Sequence, residues 1–173
     1  MRLFVTGFGP FGNVADNPSG WLAEQSGLPH AILPVSWSAV DQFLQTFPTT
    51  DYDALLLMGV AASRTDLTPE LFAWNIIGPN PDVDGVKRPG FIDPEGPDRL
   101  PATLWTADQV ADWDATGVTS FSLHPGTYLC NYSFYRALQW LPSIRTGFLH
   151  VPGDDHLDRP TQLSRLQTII GSL

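Results

Sequence analysis

The chain carries one cysteine, Cys130, in the stretch His124-Pro125-Gly126-Thr127-Tyr128-Leu129-Cys130-Asn131. A strand predicted to end near Leu123, a Pro-Gly break and a helix predicted from Leu129 place this thiol in the first turn of a helix. Unpaired N–H groups and the positive end of the helix dipole stabilise a thiolate there, which is the nucleophilic form. The same N–H groups can hold an oxyanion. A buried, inert cysteine is the plainer reading of the same position. A thiol nucleophile also needs a base and a group that orients the base. Gly147-Phe148-Leu149-His150-Val151-Pro152 puts His150 at the carboxyl end of the strand after the Cys130 helix. If those two strands are neighbours, both side chains emerge on one rim. His30 and His124 sit at strand edges with no such pairing. His156 lies in Gly153-Asp154-Asp155-His156, which reads as a solvated turn rather than a metal site, so no metal is expected. Glu70, in Thr68-Pro69-Glu70, follows the core run Leu55 to Met58 and is the candidate orienter. It could equally be an ordinary charge at the start of a strand.

A second candidate is Val5-Thr6-Gly7-Phe8-Gly9-Pro10-Phe11-Gly12, whose glycines match the G-x-G-x-x-G of a dinucleotide turn. Such a turn needs a helix starting at its second glycine and an acidic side chain ~20 residues on. Pro10 follows the second glycine directly, and Asn17 as N-cap with Pro18 at the first helical position starts the helix too late. Ala31-Ile32-Leu33-Pro34 offers no carboxylate. What remains is two rings, Phe8 and Phe11, on a stiff turn at the carboxyl end of a strand, where open α/β sheets bind ligands. Packing of both rings onto the core is the alternative.

The elements that must position these groups follow from apolar periodicity. Strands are predicted over Leu3–Thr6, Ala31–Val35, Ala54–Met58, Val118–Leu123 and Thr146–Val151, with Leu71–Ile77 as a further candidate. Their continuous apolar runs suit a sheet buried on both faces. Helices are predicted over Gly20–Gln25, Ala39–Phe47, Ala107–Ala115, Leu129–Leu141 and Thr161–Ile170. The alternation implies an α/β fold, a three-layer α/β/α sandwich around a mainly parallel, twisted sheet. The proline- and glycine-rich segment Gly78–Pro101 is expected to be a long loop outside the core, next to the functional site or an oligomer contact.

At 173 residues the chain is expected to be a single domain, residues 1–173, burying roughly 70% of its unfolded surface. Nine basic against 18 acidic residues argue against a nucleic-acid or anionic-lipid footprint. They favour a small-molecule or peptide partner. A lone cysteine forms no intrachain disulfide and fits a reducing, cytoplasmic setting. The amino terminus reads as a strand rather than a signal peptide, and no apolar run approaches the ~20 residues of a membrane span.

Four motifs in order carry a family resemblance. They are Phe4-Val5-Thr6-Gly7-Phe8-Gly9-Pro10-Phe11-Gly12 with Asn17-Pro18-Ser19, Thr68-Pro69-Glu70 with Ala73-Trp74-Asn75, Pro125-Gly126-Thr127-Tyr128-Leu129-Cys130-Asn131 with Phe134-Tyr135, and Gly147-Phe148-Leu149-His150-Val151-Pro152. Over nearly the whole chain the sequence resembles the pyroglutamyl peptidase I (pyrrolidone-carboxylate peptidase) family of cysteine peptidases. The resemblance implies Cys130 as nucleophile, His150 as general base and acid, and Glu70 as its orienter. It implies an apolar pocket for the pyroglutamyl lactam with Phe8, Phe11 and Tyr128, and places Gly59, Val60 and Leu129 among the substrate-binding positions. The implied activity is that of a cysteine exopeptidase, without cofactor, which hydrolyses the amide after an N-terminal pyroglutamyl residue through a thioester. N-terminally pyroglutamylated peptides are the implied partners. A related amidohydrolase on another small blocked amide, and a non-catalytic relic, are the alternatives.

The sequence also departs from the pattern. Gly9 stands where the family usually has Asp, Val60 where it has Gln, and Pro79 about where it has an arginine, in a segment one residue shorter. Arg64 matches a family arginine before the Glu strand. If the family arginine acts at the oxyanion, its loss would cost about 2 to 4 kcal/mol of transition-state stabilisation, which leaves weak activity or a shifted substrate open. The part after Pro152 is short, and the trimmed loops bear on whether the dimer or tetramer common in bacterial members forms.

Overall fold

The structure is a computed structural model that describes residues 1–120 and 122–173. The described elements are β1 (Leu3–Phe8), α1 (Pro18–Gln25), β2 (His30–Leu33), α2 (Trp37–Gln45), β3 (Ala54–Val60), β4 (Thr68–Glu70), β5 (Phe72–Trp74), β6 (Arg99–Pro101), α3 (Ala107–Ala115), α4 (Leu129–Trp140), β7 (Arg145–Val151) and α5 (Arg159–Gly171). The main sheet has the order β2-β1-β3-β7-β4. All its pairs are parallel except β4–β7.

The central strand β3 explains the layering. Ala54, Leu56 and Met58 pack with α1, α3 and α5 residues such as Leu22, Val110 and Leu166. Leu55 and Leu57 pack with α2 and α4 residues such as Val40, Leu44, Phe134 and Ala137. Side chains alternate across a strand, so the run Ala54–Met58 feeds both cores, and the three-layer α/β/α sandwich expected from the sequence is present.

Three expectations need correction. Leu71–Ile77 is not one strand: β4 ends at Glu70, and β5 leaves the main sheet to pair antiparallel with β6. Val118–Leu123 forms no named strand among the described residues; Ser122 makes a single parallel bridge to Glu70, and Phe121 lies outside the described residues. Among the described residues, Ser120 N–H bonds Leu67 O and Leu71 N–H bonds Ser122 O, while Val118 and Thr119 N–H turn back to Trp113 O. Finally, the segment Gly78–Pro101 is not wholly outside the core. It contributes β6 and buries Ile92 in the α2–α4 cluster.

Candidate active site

The first break in sheet order falls between β1 and β3, because the chain passes from β1 to β2 and then returns to β1's other side. Such a switch point opens a crevice at the carboxyl ends of the strands. Phe8 ends β1 and Val60 ends β3 there.

The thiol, imidazole and carboxylate are brought together by strand register. Gly59 on β3 is paired with His150 on β7. Gly59 follows Leu55 and Leu57 on the face toward α4, and His150 follows Phe148 on that same face. A Cβ on Gly59 would stand 2.7 Å from Cys130 Sγ and 2.9 Å from the Phe148 ring. Glycine is therefore what lets α4 bring its thiol down onto the strand end. Across the next pair, Thr68 opposes His150 and Glu70 opposes Phe148, which puts the Glu70 carboxylate diagonally beside the imidazole. His150 Nδ1 lies 2.7 Å from Glu70 Oε1. An ionised carboxylate only accepts, so Nδ1 donates and Nε2 of the neutral ring is left as the base.

Glu70 is fully buried and fully engaged. Oε1 also accepts from Arg64 Nη2 at 2.8 Å, Oε2 accepts the Ser122 hydroxyl, and the backbone oxygen accepts the Trp105 indole N–H at 3.1 Å. This is a held carboxylate, not a solvated charge at a strand end.

The thiol differs from the sequence expectation. Cys130 keeps some surface exposure, yet protein surrounds the sulfur, and burial pushes the thiol up to about 12, with the Glu70 charge adding and Arg64 opposing. Burial also pushes His150 below 6.5, against the pull of Glu70. Burial outweighs the helix terminus and disfavours both the thiolate and the imidazolium. The start of α4 has Tyr128 as N-cap with no side-chain capping bond. The N–H groups of its first turn therefore remain open to an oxyanion.

Beside Cys130 lies a cavity lined by Phe8, Phe11, Asn17, Val35, Val60, Tyr128, Leu129 and Cys130. Phe8 and Phe11 thus both pack on the core and wall a cavity. Gly59 is not on this wall; it lies under the thiol. Helix α1 starts at Pro18 with Asn17 as N-cap, as expected. Its amide also donates to Gly9 O at 3.0 Å. At the other end of the same loop Gly7 packs so closely that a Cβ would come within 2.1 Å of Ser19 O. Asn17 and Val35 were not singled out as pocket residues in the sequence; a buried polar N-cap closing an aromatic loop is the signal that could have found Asn17.

A strap from Trp74 to Arg88 is tied to the start of α4. Asn131, next to the thiol, accepts from Trp74 N–H at 2.8 Å and donates to Trp74 O at 2.7 Å and Ile76 O at 2.9 Å. Tyr128 donates its hydroxyl to Pro81 O at 2.8 Å, and Gly78 N–H bonds Thr127 O at 2.7 Å. Pro79 thus sits in a segment anchored to the approach to α4, where it supplies no cation.

A family model described as pyroglutamyl peptidase matches residues 1–157. The chain belongs to the pyroglutamyl peptidase family. Membership makes it a cysteine-type peptidase. Among family members, the pyrrolidone-carboxylate peptidase of Thermococcus kodakarensis is 34% identical, with 98% of this chain and 90% of that protein covered. The Bacillus subtilis protein of that name is 29% identical over 99% of this chain and 88% of its own. In three dimensions the chain is similar to the pyrrolidone carboxyl peptidase of Thermus thermophilus, with a TM-score of 0.87, 32% identity and coverage of 99% of this chain and 100% of that one.

Proposed function

We propose that this family member removes N-terminal pyroglutamate from peptides, with Cys130 as nucleophile, His150 as general base and acid, and Glu70 as the group that fixes the imidazole. The observation that carries the reading is the thiol held over Gly59, in register with the Glu70-bound His150, at the mouth of an uncharged aromatic cavity. His150 Nε2 takes the thiol proton as Sγ attacks the carbonyl joining pyroglutamate to the next residue. N–H groups at the start of α4 hold the oxyanion. Collapse breaks the C–N bond, and His150 gives its proton to the departing amine. Water then attacks the thioester while His150 takes its proton, and Sγ leaves to recover that proton as the thiol.

Phe8, Phe11, Val60, Tyr128 and Leu129 suit the compact neutral lactam. A free amino terminus would bring an ammonium into this cavity at a cost of several kcal/mol. Hydrolysis of a pyroglutamyl coumarylamide is the test. Turnover by the unmodified protein and its loss in Cys130→Ala are expected, with a prolyl coumarylamide cleaved at least ~100-fold more slowly. No pyroglutamyl turnover at high enzyme concentration would sink the reading.

The exposed Ile76, Val83, Val86 and Phe91 on and beside the strap support a homo-oligomer contact in the same reading. Sedimentation at the mass of one chain at every concentration would remove it.

A further inference from the structure

The sheet order also lays out the substrate, given the peptidase reading on which this inference rests. Along the rim come the ring cavity at the ends of β1 and β3, Cys130 over β3, His150 on β7, and Thr68 and Glu70 on β4. A lactam among Phe8, Phe11 and Val35 sets the scissile carbonyl at Cys130. The leaving amine must then lie toward His150, which protonates it, and the rest of the leaving peptide runs on toward β4.

At that edge lies an open cavity of about 310 Å³ lined by Ser63, Arg64, Thr65, Thr68, Ser120 and Ser122. Every lining residue is polar, and Arg64 is the one cation among the residues lining this cavity and the ring cavity. Arg64 uses Nη2 for Glu70 Oε1 and for His124 O, the latter at 3.3 Å. Among the described residues its Nη1 and Nε make no protein hydrogen bond, and neither do the hydroxyls of Ser63 and Thr65. The neighbouring carboxylate, Asp66, is held by Arg165. A planar guanidinium edge flanked by hydroxyl donors is a carboxylate receptor in its chemistry.

We propose that this cavity is the subsite for the leaving part of the substrate and that it takes a carboxylate. The favoured substrates are pyroglutamyl peptides with a negative charge within one residue of the scissile bond. That charge is either the free carboxy terminus of a pyroglutamyl dipeptide or an acidic side chain in the first leaving residue. Selection at this edge is independent of the ring cavity, which contains no charged side chain.

Paired substrates separate the sources. Pyroglutamyl-alanine against its carboxamide reads the terminal carboxylate; pyroglutamyl-glutamic acid amide against pyroglutamyl-glutamine amide reads the side chain. In at least one pair kcat/KM for the charged member is expected to exceed the neutral one by about tenfold, the scale of a charge-assisted hydrogen bond. Ratios near one, or favouring the neutral member, in both pairs overturn the proposal. Arg64→Met also loosens Glu70 and lowers all rates, so the ratio within the variant is the readout; it is expected to fall to about one. Ser120→Asp places a like charge in the cavity and is expected to invert the ratio. An unchanged ratio in both variants overturns the assignment. Failure of the peptidase reading looks different, because the pyroglutamyl coumarylamide, which carries no carboxylate, is then not cleaved either.

Discussion

A methyl group cannot be added at Gly59 without moving either the thiol or the Phe148 ring, and neither is the free end of a flexible chain. Gly59→Ala is expected to cost about 1 to 3 kcal/mol in urea unfolding. It is also expected to lower kcat about 100-fold, because small misplacements of a nucleophile carry penalties of that order. Wild-type kinetics in that variant would contradict the position assigned to the sulfur. Protonation gives a second expectation at this scale. His150 must be neutral to act as base, and burial holds its titration below 6.5, so kcat/KM should hold at pH 6.5 and decline only in more acid solution. With the thiol raised to about 12, alkylation of the free protein by iodoacetamide should climb through the alkaline range. A rate flat between pH 6 and 8 would show a thiolate–imidazolium pair at rest instead. Cys130 and His150 stood out because strand breaks and a helix start mark their neighbourhoods, whereas Glu70 remained an ordinary strand-end charge until the family resemblance gave it a role. The height of the thiol's titration was not legible, since burial is decided by residues distant in sequence, such as Gly59 and Phe148.

Helix α4 does two things with adjacent residues: Cys130 faces the strand end, and Asn131 ties the strap through three hydrogen bonds. Asn131 is fully buried, so Asn131→Leu removes the side-chain partner of Trp74 N–H and Ile76 O and one of the two donors to Trp74 O, which keeps Ile76 N–H. A loss of about 2 to 4 kcal/mol is expected, within the usual cost of unsatisfied buried groups. KM should rise as well, because Tyr128 is held against the strap at Pro81. Calorimetry and steady-state kinetics check both, and an unaltered KM would detach the strap from the pocket. Helices α3 and α4 were readable to within a residue from periodicity; the reciprocal capping box of Thr106 and Gln109 that starts α3 was not singled out in the sequence. The departure of β5 from the main sheet was not readable, because Leu71–Ile77 has strand character throughout and only its partner β6, inside a proline-rich segment, decides where it pairs.

For the molecule as a whole, acid should weaken the fold in two stages. His150 is harder to protonate folded than unfolded, so stability falls as pH drops below 6.5, where the unfolded chain takes up the proton first. Asp53, lowered to about 2 by Arg2, Asp158, lowered by the backbone N–H of Thr161, and Asp82, which burial raises but the N–H groups of Trp37, Val86 and Asp84 together bring below its ordinary value, contribute stability above about 4 that is lost as pH falls toward their folded values. Melting temperatures at pH 7, 5 and 3 should show both declines, and an unchanged value between pH 7 and 5 would remove the first. The layered architecture was legible because β3 is apolar on both faces, the pattern expected of a strand in a sheet covered on both sides, and β7 beside it is buried on both faces as well.

The loop from Gly9 to Asn17 behaves as a covalent bridge across a pre-closed ring. Gly7 is jammed on the backbone of Ser19, and Asn17 grips Gly9, so its two ends stay fixed whatever lies between. Residues 10 to 16 are therefore an exchangeable cassette. Segments of other lengths could be grafted there to reshape the wall that carries Phe11, while β1, α1 and the reacting groups keep their places.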